Sequence, residues 1–464
     1  MTSILDFGAI ADGETNNAPS IQRAIDSVSA SGGGRVTIPA GRFLSGSLQL
    51  KAGIELHLEP GAELYASSNY ADYLPEHSVP SITKNLIVEE VLPQRAFIVG
   101  YQAHGVSITG QGTISGNADG FILDRGQYIH EMRAPEGGRS QYLERPFTIF
   151  LIDCESVVLR DFTLRDPAFW AIRVTGCDGC NIDGIRILTD LMVPNADGID
   201  IDRCDNVRIT NCELITADDC ISLKTCTATA MYGPIANVVI SHCIMTSTSG
   251  AITLGTESCA DIEQVIISDC IITDSHRGIA IRPREGGQVR DVLVNDCIVN
   301  TRTFSESWWG HGEPLHVTAA AWDDESELHP GNPERKLAGS VRNICFSNIM
   351  CRSEAGVLVW GQRPELVREV VFNHVRVEMS AQSKWDPRID LRPAGETTFL
   401  RRDHSAFELM QAEDVRLEDC RVVWNPATSN RYAHAVAAVD VRDLVLERFH
   451  GEAARAHLPA VSEN

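Results

Sequence analysis

Apolar residues in this chain come in pairs two positions apart, and the pairs recur: Ile172/Val174, Ile199/Ile201, Ile221/Leu223, Ile252/Leu254, Ile279/Ile281 and Val357/Val359. A period of two predicts strands with one buried face. The first and second pairs lie 27 residues apart, the second and third 22. That spacing is the length of one coil in a solenoid of stacked strands. A second ladder runs in step through Val157, Ile182, Val207, Val238, Val265, Val292, Ile344 and Val415. Five residues beyond these anchors come Phe162, Ile187, Cys212, Cys243, Cys270, Cys297, Ile349 and Cys420. Ladders in fixed phase over most of the chain predict an all-β fold, a single-stranded right-handed parallel β-helix, or solenoid.

The period changes at Ala18–Ala30, where an amphipathic pattern predicts one helix, ended by Gly32-Gly33-Gly34. A helix ahead of the first coil is the expected cap on an open solenoid end. The expected organisation is one domain over residues 1–464, with cap and first coils in 1–65. Segments 301–340 and 380–411 break the repeat and are expected as loop excursions. Excursions from a regular scaffold are where binding residues tend to be placed. In the first of them, Trp308 and Trp309 either stack on a sugar ring or pack the loop against the solenoid.

Charge narrows the partners. With 40 basic and 63 acidic residues the net charge is −23, which argues against nucleic acid and anionic membrane. No apolar run is long enough to span a bilayer. The opening MTSILDFGAIADG has no basic region followed by an apolar one, so a cytoplasmic location is expected. The 14 cysteines read as small apolar residues stacked inside the coils rather than as a disulfide framework. Cys177 and Cys180 are spaced as CxxC but are expected in a turn without a second pair, and no metal site or cofactor is expected.

The candidate chemistry lies between Asn195 and Thr225. Two acidic clusters, Asn195-Ala196-Asp197-Gly198 and Asp218-Asp219, each lead into an apolar pair. Stacked coils bring equivalent positions to about 4.8 Å. Asp197 is then expected over Asp219, with Asp218 beside them. Hydrolysis of a sugar linkage needs one protonated and one ionised carboxyl, which such a cluster supplies. Counting along the register puts Gly250 and Arg277 in the Asp197/Asp219 column, and His276 in that of Asp218. Asp202, Lys224, Gly255 and Arg282 form another outward column. Lys224, Arg277, Arg282 and Arg284 are thus expected to border the carboxylates and contact an oligosaccharide substrate, with His276 a further candidate contact from the Asp218 column.

The run NADG, ADDCISLK, GAITLGTE and RGIAIR resembles family 28 of the glycoside hydrolases, the polygalacturonases and rhamnogalacturonan hydrolases. The N-terminal DFGAIADG…IQRAID…GGGRVTIPAGRF is similar to the opening of that family and of related β-helix pectinases. The resemblance implies a right-handed parallel β-helix and inverting hydrolysis of pectin-type glycans. It implies Asp218 as general acid, Asp197 and Asp219 as the pair that activates water, and Asn195 as the asparagine of the first motif. Two departures accompany it. Ser249-Gly250-Ala251 stands where polygalacturonases have Gly-His-Gly, and Ala280-Ile281-Arg282 where they have Arg-Ile-Lys. The expected enzyme is therefore a glycosidase altered where a galacturonate is usually gripped, with exo action on short oligosaccharides. Two alternatives stay open at this level. One is a lyase or epimerase using Lys224 or Arg282 on a uronate; the other is a non-catalytic carbohydrate-binding solenoid.

Overall fold

Many of the coils turn where an Asn, Asp or His takes the left-handed backbone conformation, as at Asn211, His242, Asp269, Asp296, Asn348, His374 and Asp419. Asn and Asp tolerate that region because their short polar side chains bond locally. Here they also bond between coils: Asn343 Nδ2 donates to Asp291 at 2.6 Å and Asn348 Nδ2 to Asp296 at 2.5 Å. Several of these corners sit directly before a cysteine, which turns inward and is buried: Cys212, Cys243, Cys270, Cys297 and Cys420. All 14 cysteines are free thiols.

The computed structural model describes residues 2–74, 95–121, 145–304, 310–322, 337–392, 399–400 and 402–463. The chain divides into two compact units, residues 1–218 with 228–233, and 219–227 with 234–464. In the first, helix Ala18–Ala30 buries Ile21, Ala24, Ile25 and Val28. Strand Phe147–Ile152 pairs in parallel with Ile172–Thr175, which pairs with Ile199–Asp202, joining Ile172 to Ile199 and Val174 to Ile201. In the second, Ile221–Thr225, Gly250–Ser258, Arg277–Pro283, Glu313–Ala319, Val357–Gly361 and Phe407–Glu418 follow one another in the same parallel sense. Their inward residues fill the core: Ile252, Ile279, Leu315, Val357 and Phe407 are fully buried. The architecture is a parallel β-helix with a helix near its N-terminus.

Three details differ from the sequence reading. Val157 and Val207 both pair with Cys180, whereas Ile182 pairs with Leu159 and Ile209. Ile187 likewise pairs with Leu164 and Leu214. A slip of two preserves which face is buried, so alternation alone did not exclude it. Cys180 is therefore an inward strand residue rather than part of a turn. Finally, Glu313–Ala319 lies inside the expected excursion 301–340 as a full rung, and Val367–Met379 supplies another, with Val370 between Ile344 and Val415.

Candidate active site

In the first unit, both acidic clusters repeat one small device, an alanine pointing inward followed by an aspartate. Ala196 and Ala217 are fully buried and pack together with Ala118 and Val193. Such small side chains let the two segments approach closely, and one carboxylate oxygen of Asp197 lies within 4.8 Å of one from Asp218. Both aspartates are nearly enclosed, Asp197 at 4% and Asp218 at 8% exposure. Backbone bonds fix them. The Asp197 carbonyl accepts from Ala171 N–H at 2.9 Å, and the Asp218 carbonyl accepts from Thr216 Oγ1 at 2.5 Å.

Arg145 supports the first cluster from below, and sequence reasoning missed it. Its guanidinium donates to the carbonyls of Pro194 (2.5 Å) and Ala168 (3.0 Å) and to Asn195 Oδ1 (3.2 Å), beneath the Phe169 ring. Asn195 takes a left-handed conformation there, φ 53°. An arginine some 50 residues upstream carries no local signal for this contact. Asp202, expected on an outward column, is buried instead. It pairs with Arg173 at 3.0 Å and accepts from Thr229 Oγ1 at 3.0 Å. The Arg173 guanidinium in turn lies over Phe147, Phe150 and Trp170.

Asp219 follows Asp218 by one peptide bond and begins the second unit. Its Oδ1 accepts from Gly250 N–H at 2.9 Å and Ser249 Oγ at 3.0 Å. A Cβ at Gly250 would lie 2.9 Å from that same oxygen and 2.4 Å from Thr253 Oγ1. The register joins Gly250 to Arg277 and Gly255 to Arg282, as counting along the sequence expected, and it also joins Arg277 to Glu313, which the count did not include.

The basic residues do not form the open rim the sequence reading implied. Lys224 is buried and pairs with Glu257 at 3.3 Å. Arg277 is 1% exposed, 3.6 Å from both Glu313 and Asp390. Arg282 donates to the Arg392 carbonyl at 2.6 Å; burial, then the neighbouring Arg277 charge, pushes its pKa down to about 9. His276 has no exposure; its Nδ1 lies 3.1 Å from the Thr248 carbonyl oxygen, and its ring packs edge-on to Phe304 and His311. Burial holds His276 well below the ordinary histidine range. For His276, Arg277 and Arg282 the cause is chain from the two excursions, at Gly310–Glu313 and Asp390–Arg392, which packs against them. Lys224 is instead enclosed beside Glu257, and Arg284 is buried with its Nη1 donating to the Thr318 carbonyl at 3.0 Å. Trp308 and Trp309 lie outside the described residues.

What this arrangement can do follows from its charges. Two adjoining carboxylates favour sharing one proton, the condition for an acid and a base in one site. The same pair of oxygens is close enough to share a divalent cation. Residues 29–300, more than half of the chain, match the sequence profile of Glycosyl hydrolases family 28, and the chain belongs to that family. It is 31% identical over 273 residues to a probable polygalacturonase of Vitis vinifera, covering 56% of this chain and 52% of the relative. To an exo-poly-alpha-D-galacturonosidase of Dickeya chrysanthemi it is 25% identical over 294 residues, covering 56% and 48%. The chain thus spans about half the length of the curated relatives it matches. In structure it resembles a hyperthermoactive exopolygalacturonase from Thermotoga maritima, with TM-score 0.64, 20% identity and 91% of each chain covered. It also resembles a family 28 exopolygalacturonase from Yersinia enterocolitica, with TM-score 0.67, 20% identity and 96% and 77% coverage. Those likenesses are of fold, and the fold is the right-handed parallel β-helix.

Proposed function

We propose that this protein is a glycosidase that trims pectin-type oligosaccharides from one end by acid/base hydrolysis. The observation that carries the reading is the enclosed Asp197–Asp218 pair in a family 28 chain. In this mechanism Asp218 donates a proton to the leaving glycosidic oxygen. Asp197 and Asp219 hold and deprotonate the attacking water, so the bond to the sugar carbon breaks as the bond to water forms. Asp219 suits the water-holding role because two donors, Ser249 Oγ and Gly250 N–H, fix its Oδ1 in place. Inversion of the anomeric centre is part of the proposal. Exo action is supported by the names of the relatives and by excursion residues folded over Arg277 and Arg282.

Arg282 is the group we assign to a sugar carboxylate. It remains where the family pattern has its second basic residue, while the histidine and the first basic residue are replaced by Gly250 and Ala280. Oligogalacturonides should accordingly be poorer substrates than other pectic oligosaccharide ends. Cytoplasmic action on short oligosaccharides belongs to the same proposal and is supported by 14 unbridged thiols. The test is incubation with a panel of pectic and neutral oligosaccharides. Products are weighed by mass spectrometry and the first-formed anomer is read by proton NMR. Expected are single sugars released with one water added and the anomeric configuration inverted. Products lacking added water and absorbing in the ultraviolet would overturn hydrolysis, and a retained anomer would overturn the assigned roles.

A further inference from the structure

Residues 389–391 read Ile-Asp-Leu, and strand alternation sends the middle side chain opposite to its neighbours. Ile389 and Leu391 pack into an apolar cluster with Leu358, Trp360 and Met410. Asp390 has no exposure and accepts from Gly310 N–H at 2.7 Å, and from Arg392 backbone N–H, Nε and Nη2 at 3.0, 2.9 and 3.1 Å. Arg277 Nη2 lies 3.6 Å away. Burial opposes its charge, yet Arg392 and Arg277 hold the carboxyl well below the usual carboxylate range. The next residue, Arg392, reaches the other end of the basic strand, where its carbonyl accepts from Arg282 Nη2 at 2.6 Å.

Arg277 and Arg282 are buried like charges on one strand, and burial together with the Arg277 charge weakens the hold of Arg282 on its proton. Glu313, the other carboxylate against Arg277, is pushed upward by its own burial and compensates less well. Two buried guanidiniums without adequate counter-charge would separate or admit water. An apolar anchor on either side of one carboxylate prevents both. We propose that Asp390 is a positioning residue for sugar-charge selectivity: it neutralises Arg277 and, through the Arg392 carbonyl, fixes the Arg282 guanidinium for a substrate carboxylate. This rests on the assignment of Arg282 to a uronate. The stretch Ile389–Arg392 then acts as the frame of a carboxylate subsite rather than a cover alone.

The experiment uses the full chain and four forms: wild type, Asp390→Asn, Arg282→Gln and the double variant. Binding by calorimetry and KM are measured with a uronate oligosaccharide and with its carboxyl-reduced neutral counterpart. Asp390→Asn should weaken uronate binding about tenfold, the size expected for losing one well-placed charged hydrogen bond, and leave the neutral ligand unchanged. It should add nothing on the Arg282→Gln background. Equal weakening of both ligands, an effect on kcat alone, or additivity with Arg282→Gln would each overturn the proposal. Arg392→Gln loosens Asp390 without leaving Arg277 unpaired, and should show a smaller uronate-specific loss should Asp390→Asn not fold. A wild-type chain that binds the uronate but hydrolyses nothing would count against the proposed activity while leaving the binding comparison decisive for Asp390.

Discussion

Replacing Gly250 by alanine tests the geometry around Asp219 with a single methyl group. The φ of Gly250 lies outside the left-handed region, so an alanine backbone fits there and only the side chain collides. That Cβ would sit 2.4 Å from Thr253 Oγ1 and 2.9 Å from Asp219 Oδ1, both well inside contact distance. Thr253 Oγ1 is buried without a hydrogen-bond partner, so it can rotate away at a cost of about 1 kcal/mol for an off-rotamer side chain. Asp219 has less freedom, because its Oδ1 is tied to Gly250 N–H and Ser249 Oγ. Moving it forfeits a hydrogen bond to a charged group, worth roughly 1.5–3 kcal/mol. If that bond orients the base in the transition state, kcat should fall by about 10- to 100-fold. The assay is initial rate on the best oligosaccharide, with a thermal melt to show the fold intact. Gly250→Ala/Thr253→Ala should recover the steric part of the loss but not all of it. Gly250→His, which restores the family residue, should be at least as damaging as alanine because the first side-chain atom already clashes. Wild-type kcat in Gly250→Ala would refute the role given to Asp219.

Asp218→Asn should lower turnover roughly 10²–10⁴-fold on substrates with poor leaving groups while leaving the melt unchanged, since the amide keeps the shape and cannot supply the proton. Activity should survive exhaustive chelation; loss restored by calcium would instead assign the Asp197–Asp218 pair to a cation. Burial pushes Glu408 up to about 7, so its stability contribution is full below the unfolded value near 4.5 and is lost as pH rises through 7. That loss is about 3 kcal/mol at most, and Glu408→Gln should flatten the denaturation midpoint between pH 5 and 8. Burial drives His311 the other way, down to about 4, so stability present above pH 6.5 is lost as pH falls toward 4. His311→Gln should reduce that acid-side loss, and an unchanged slope would show that the ring is not neutral and enclosed in solution.

The fold was legible because its period is written in residues that cannot do otherwise. Ile172/Val174 and Ile199/Ile201 must face one way in a strand, and they pair as counted. Where the count slipped, at Ile182 and Ile187, the neighbouring inward residue satisfied the same rule. Glu313–Ala319 was read as loop because His316 and Thr318 dilute the apolar signal of Leu315 and Val317, and the stretch before it lacks the repeat spacing. In the site, Ala196-Asp197 and Ala217-Asp218 were readable as acidic clusters, although the alanines' part in closing the gap was not. Arg145, Arg173 and Asp390 were invisible for one reason. Each reaches its partner across 29 to 113 residues, and a single sequence records no such distance: Arg145 to Asn195, Arg173 to Asp202, Arg277 to Asp390. Burial of the basic row followed from the same gap, since the residues covering it belong to the irregular segments.

The cysteine column has a use unrelated to sugar chemistry. Cys243, Cys270 and Cys297 occupy successive coils, and Cys270 is pushed up to about 12, mainly by its neighbour Cys243 and by burial. A thiol that is both enclosed and protonated does not react with alkylating reagents while its coil is closed. Each coil that holds a buried cysteine therefore carries a chemical clock whose alkylation rate reports its own opening, with no label introduced. Cys345 and Cys259, only partly buried, should be modified first and set the zero of the scale. The order in which the remaining thiols gain mass then maps which rungs of the solenoid open alone and which open together, in a protein whose wild-type sequence already holds every probe required.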